Sequence, residues 1–297
     1  MPTNHATDGP VRPAPSSAVP GREMPALFLG HGSPMNAIED NRYSRSWRAL
    51  GAALARPRAI LAVSAHWYIR GSAVTAMAAP RTIHDFGGFP PELYALDYPA
   101  PGDPDVAAEV ADTLLPTATA LDETSWGLDH GTWSVLVHLF PDADVPVVQL
   151  AVDARLPLDA HVELGARLAP LRARGILVVA SGNVVHNLRA MDFSQPDAGT
   201  DWARRFDGAA RDLLASEPGD LGRLADHPDL HLAAPTPDHL DPLCYLAGLA
   251  AAAGDTPEVV LEGFAVGSLS MTAFALGLPV EPDEQPGSPS TTARSPS

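Results

Sequence analysis

Short apolar runs closed off by glycine, proline or serine recur along the chain, at residues 26–29, 59–65, 145–152, 176–180 and 259–261, with a further one across 269–275. They lack the polar alternation of a half-exposed strand, so they predict strands covered on both faces. Between them the apolar period lengthens to that of a helix. Tyr43, Trp47, Leu50 and Leu54 fall on one helical face, as do Trp202, Phe206, Ala209 and Leu213. Ahead of the run VAAEVADTLL, Asp103 offers an N-cap acceptor and Pro104 a first helical residue that needs no N–H. Alternating strands and helices predict an α/β fold with a mostly parallel central sheet flanked by helices on both faces.

No repeat period and no linker-like stretch divides the chain, although the proline- and glycine-rich segment 86–104 reads as a long loop. With 297 residues and 45% hydrophobic content, the expectation is a single catalytic domain over residues 24–281. Residues 1–23 and 282–297 are dominated by Pro, Ser, Gly and Thr, and predict disordered N- and C-terminal tails.

Charge removes whole classes of function. The formal net charge is −17, and the 19 basic residues are scattered, so no nucleic acid is expected as partner. No apolar run reaches the ~18–20 residues of a membrane span, and the N-terminal segment lacks the apolar core of an export signal. The single cysteine excludes an intrachain disulfide and any metal site built on two or more thiolates. It lies in LCYLAGLA, where a packed core thiol is expected, and the whole pattern suits a cytoplasmic protein.

Histidine carries the chemistry. Of the 11 present, His31 stands between Gly30 and Gly32 just past the first run, His66 ends the second, and His186 follows the fourth by a few residues. Open α/β sheets gather ligands beside the carboxyl ends of their strands, where these three imidazoles can converge. The 35-residue separation of His31 from His66 suits a strand–helix–strand unit with parallel neighbours. In APTPDHLDPL, Thr236 reads as a cap and Pro237 as the first helical residue, placing His239 in a first helical turn that Pro242 makes irregular. Imidazoles suit Fe(II), Zn(II) or Mn(II), whereas Mg(II) and Ca(II) prefer oxygen.

His84 in TIHDFGGFP and His130 in DHGTW read as loop residues that support the ligands, touch a substrate or merely shape turns. Asp85, Phe86, Phe89 and Tyr94 from the same loop region read as a pocket wall or lid. His5, His138, His161, His227 and His231 are expected to be structural or exposed. No GxSxG, GxxxxGK[ST], GxGxxG or HExxH motif occurs. The HGSP sequence from His31 hints at an oxyanion loop, but no nucleophile motif accompanies it.

The segments MPALFLGHGSPMNAIEDN, SAHW, TIHDFGGFP, DHGTWSVL, VVASGNVVHNLR and PTPDHLDPL, in this order, resemble the DOPA 4,5-dioxygenase group of the class III (LigB-type) extradiol dioxygenase superfamily. The resemblance runs from Met24 to about Leu278. It implies that His31 and His66 are metal ligands and that His239 stands where the wider superfamily often has a glutamate. It also implies an acid/base role for His186, which is alternatively a fourth ligand, and a catalytic, substrate-lining role for His130. One divalent ion per chain, Fe(II) or Zn(II), is implied, with O2 as co-substrate and a small DOPA-like catechol whose ring opens beside the diol. Two other readings use the same residues: a zinc-dependent hydrolase or amidase, and a non-catalytic superfamily member, whose usual sign would be lost histidines.

Overall fold

The computed structural model describes residues 23–278. Apart from Glu23, both expected tails lie outside the described residues, as do positions 279–281 of the expected domain. The strands are β1 (Ala26–Gly30), β2 (Ala59–Ile69), β3 (Ser72–Thr75), β4 (Thr119–Asp122), β5 (Val147–Asp153), β6 (Ile176–Gly182), β7 (Glu258–Leu261), β8 (Phe264–Ala265), β9 (Leu269–Ser270) and β10 (Ala273–Leu276). The helices are α1 (Arg42–Ala53), α2 (Pro91–Tyr94), α3 (Pro104–Thr113), α4 (His130–Leu139), α5 (Leu158–Arg167), α6 (Ala169–Ala173), α7 (Asp201–Ser216), α8 (Leu230–Ala233) and α9 (Asp241–Ala253).

One large sheet runs β4-β3-β5-β2-β6-β1-β10-β7. Its middle, β5-β2-β6-β1, is parallel throughout, while β3–β5, β1–β10 and β10–β7 pair antiparallel. The fold is therefore α/β with a mostly parallel centre. Residues of β1 alternate between two apolar layers: Ala26 and Phe28 pack with α5, α7 and α9, and Leu27 and Leu29 pack with α1 and α4. Burial on both faces is why the central strands read as unbroken apolar runs.

Where sequence and structure differ, tertiary packing supplies the reason. β1 and β2 are parallel but not neighbours, because β6 inserts between them and pairs with both. The run 269–275 breaks at Met271 and Thr272 into β9 and β10. β3 and β4 are short and partly polar, and carry little apolar signal. On α7 the fully buried line is Ala203, Phe206, Ala210 and Leu214, one position around from the expected stripe. The expected cap at Asp103 is present, its carboxylate accepting from the N–H groups of Asp105 and Val106 at 3.0 and 3.1 Å.

Candidate metal centre

At the carboxyl end of the parallel strands, five histidines from five segments meet. His31 extends β1, its N–H donating to Gly182 O at 3.0 Å. Gly30 before it has no space for a side chain, because a Cβ would lie 2.8 Å from the Met271 backbone, and Gly32 after it takes a φ of +60°. His66 lies within β2, which runs on past the expected end, in a stretch where the register against β5 shifts between Val63 and Tyr68. Such irregularities re-aim side chains beside functional sites.

His130 is not in a loop. It opens α4, capped by Asp129, whose carboxylate accepts from Thr132 N–H at 3.1 Å. His239 stands in the helical turn expected for it, but that turn is a separate 3-10 turn, Pro237–His239, without a side-chain cap from Thr236, and α9 begins only at Asp241. Pro242 is accommodated at the start of that helix, where a missing N–H costs nothing. The turn is held by Asn183 N–H donating to His239 O at 2.9 Å. His186 lies four residues beyond β6, its N–H bonded to Ala233 O.

The His31 and His66 Nε2 atoms are 3.2 Å apart. Donor atoms of His31, His66 and His130 all lie within 4.8 Å of one another. The His239 ring is centred 5.3 Å from that of His31 and 5.0 Å from that of His66, and the His186 ring stacks on His239 at 3.5 Å with planes 2° apart. Burial, then the neighbouring imidazoles, hold His31 and His66 well below the ordinary histidine pKa, and burial followed by His239 brings His186 down to about 3. Near pH 7 these rings are neutral and can offer lone pairs.

Acceptors behind the rings decide which nitrogen is free. His31 Nδ1 lies 2.9 Å from Ser181 Oγ, and His239 Nδ1 lies 2.5 Å from Asp238 Oδ2. Burial pushes the Asp238 carboxyl up, but the hydrogen bond and charge of His239, with hydrogen bonds from Thr236 and the backbone, together bring it down to about 2, so it is a carboxylate here. Asp85 sits between His66 and His130, 3.2 Å from one Nδ1 and 3.0 Å from the other, and accepts from the His130 backbone N–H at 2.9 Å. Asp238 at Nδ1 of His239 and Asp85 beside Nδ1 of His66 favour a bare Nε2 on those rings, and the His31 and His66 Nε2 atoms, 3.2 Å apart, are spaced to share one cation. The donor set thus fits a borderline-soft divalent ion.

Beside His130 the loop aromatics form a wall. Phe86 is 5.5 Å from the His130 ring, 5.3 Å from Phe89 and 5.1 Å from Tyr94, and His84 lies 5.5 Å from Trp133 with its Nε2 on Leu96 O. Asp85 is placed among the imidazoles, not on that wall. Sequence reading missed Ser181 and Asp238; their strand-end and neighbouring positions were the available signal. His138 and His161 are buried, the former bonded to Asn36 O at 2.8 Å. Cys244 is buried and free.

Residues 25–277 match the family described as the catalytic LigB subunit of aromatic ring-opening dioxygenase. The chain belongs to that family. Its relatives include a 4,5-DOPA dioxygenase extradiol of Escherichia coli K12, 49% identical over 259 residues, which cover 86% of this chain and 95% of the relative. A protein of the same name from Beta vulgaris is 35% identical over 245 residues, 79% of this chain and 89% of the relative. A crystal structure of an uncharacterized Escherichia coli K12 protein superposes with a TM-score of 0.75 at 43% identity, covering 86% of this chain and all of that one. Membership of the LigB ring-opening dioxygenases favours neither the hydrolase reading nor the non-catalytic one. No helix among the described residues of this LigB-family chain is long and apolar enough to cross a membrane.

Proposed function

We propose that this LigB-family chain is a cytoplasmic extradiol dioxygenase that opens a small DOPA-like catechol with O2, using one divalent ion held by His31, His66 and His239. The approach of the His31 and His66 Nε2 atoms to 3.2 Å carries the reading. Fe(II) is the ion the oxidative reaction calls for, and Zn(II) suits the same nitrogens without redox capacity. A single buried free thiol fits the reducing compartment.

When bound, the ion supplies Lewis acidity toward the catechol oxygens and a redox path to O2. The protein's side chains do the rest. His186 is uncharged near pH 7, the form able to take a phenolic proton, and proton transfers of this kind contribute roughly 10²- to 10⁴-fold. His130, beside Asp85 and facing Phe86, contacts the catechol next to the ligand set. Phe86, Phe89 and Tyr94 cover the ring's face and exclude water. One ring carbon–carbon bond beside the diol breaks, and both atoms of O2 enter the seco-acid product.

Anaerobic loading with Fe(II), followed by O2 uptake against a panel of catechols with the Zn(II) protein as control, tests this. Stoichiometric O2 consumption with a yellow product is expected. Hydrolysis by the Zn(II) form, with no O2 uptake by the Fe(II) form, would overturn it. His239→Ala should lose the ion, His130→Ala should keep it, and His186→Ala should lower kcat more than it raises KM. The reverse metal pattern would move the third nitrogen to His130, whose donor lies in the compact triad with His31 and His66.

A further inference from the structure

Among the groups that surround the imidazoles, one hydroxyl is bound on both sides in a way that leaves its direction no choice. Ser181, next to last in β6 and 1% exposed, places Oγ 2.5 Å from Gly131 O and 2.9 Å from His31 Nδ1. A carbonyl oxygen only accepts, so the serine proton must point to Gly131. The remaining lone pairs of Oγ can then only accept from His31, which must carry its proton on Nδ1. His31 Nε2 is thereby the bare nitrogen, and it is the atom 3.2 Å from His66 Nε2.

The same hydroxyl ties together three segments. β1 delivers His31, β6 delivers Ser181, and Gly131 follows His130 in the first turn of α4. His31 differs from His66 and His239 in having no carboxylate at Nδ1, so this neutral link alone sets its proton position among the described residues.

We propose that Ser181 is a positioning residue that locks the tautomer of His31, with its proton on Nδ1 and Nε2 directed at the metal position, and registers that ring against the start of α4. The metal part rests on the reading of His31 as a ligand; the tautomer part does not. Outer hydrogen-bond partners of histidine ligands typically matter by 10- to 100-fold in metal affinity.

The test begins with wild-type, metal-free protein labelled with 15N at histidine. Long-range 1H–15N correlation should show His31, assigned by its loss in His31→Ala, as a single Nδ1–H tautomer. A predominant Nε2–H tautomer overturns the proposal whatever any variant does. Ser181→Ala should then show mixed His31 tautomers, and its dissociation constant for Fe(II) or Zn(II), measured by chelator competition, should rise 10- to 100-fold. Ser181→Thr, which keeps the hydroxyl, should retain the Nδ1–H signature. Ser134→Ala removes another buried serine hydroxyl, one without a partner, and should change neither readout. A Ser181→Ala protein with wild-type tautomer and metal affinity within twofold of wild type would also overturn the proposal. Unchanged metal content in His31→Ala would instead refute the ligand assignment, while the tautomer lock would stand or fall on the metal-free spectrum.

Discussion

Gly131→Ala puts one methyl group into the space between the candidate ligands. A Cβ at that position would lie 2.4 Å from Ser64 Oγ, 2.8 Å from His66 Cδ2 and 3.3 Å from His31 Cε1. Carbon–carbon contacts relax at about 3.5–4.0 Å, so the His66 ring or the first turn of α4 must retreat by roughly 1 Å. Two effects on stability oppose each other. Alanine in place of helical glycine gains up to about 1 kcal/mol, whereas overpacking costs about 1–3 kcal/mol, so the net loss is at most about 3 kcal/mol. Misplacing a reacting constellation by 1 Å costs on the order of 10²-fold in rate. The variant should therefore remain folded, with a modest drop in Tm by calorimetry, while kcat/KM of the Fe(II)-loaded enzyme falls about a hundredfold. Gly208→Ala on α7 is the matched control, since its Cβ would meet nothing within 4 Å. It should stabilise by about 0.4–1 kcal/mol and leave turnover alone. Wild-type turnover and metal affinity in Gly131→Ala would show that the imidazoles do not crowd this backbone, and the geometry argued for the centre would fall.

Two further outcomes concern stability. Burial, then Asp238, raises Asp241 to about 7, while its unfolded value is about 3.9, so the native state binds an extra proton between these limits and stability falls as pH rises through that window. Asp241→Asn should therefore raise the Tm of the metal-free protein at pH 8, by the equivalent of at most about 4 kcal/mol, and lose that advantage by pH 4; a pH-independent difference would show that Asp241 does not titrate as described. Asp103→Ala removes the acceptor of two N–H groups at the start of α3, and chemical denaturation should show a loss of about 1 kcal/mol, with no change arguing against that cap.

The predicted runs became β1, β2, β5 and β6 because buried parallel strands need unbroken apolar sequence, and that need is local. β3 and β4 lack a clear signal because each has only four residues, with Ser or Thr among them, and β4 lies at the sheet edge with half its residues exposed. The DHGT segment reads as a loop in the sequence, though Asp129 caps a helix there, because the apolar run that follows has no exposed face and hence no amphipathic stripe. His239 is in a first helical turn opened by Pro237, as expected, but that turn is a separate 3-10 turn ahead of α9, because Pro237 and Pro242 each satisfy a helix-start rule and Asn183 N–H holds His239 O between them.

By itself, then, the amino-acid sequence determined the α/β class, the strands that carry or precede His31, His66 and His186, and the preference of a histidine-rich, thiol-poor chain for a borderline-soft ion, because each follows from residue type and short-range order. Tertiary structure decided what long-range contact alone can decide. It put β6 between β1 and β2, brought His239 and His130 to the same cleft, and set Asp85, Asp238 and Ser181 behind the rings. Proton position on an imidazole depends on which acceptor lies within 3 Å, and residues that meet across 150 positions of chain leave no periodicity by which to foresee it.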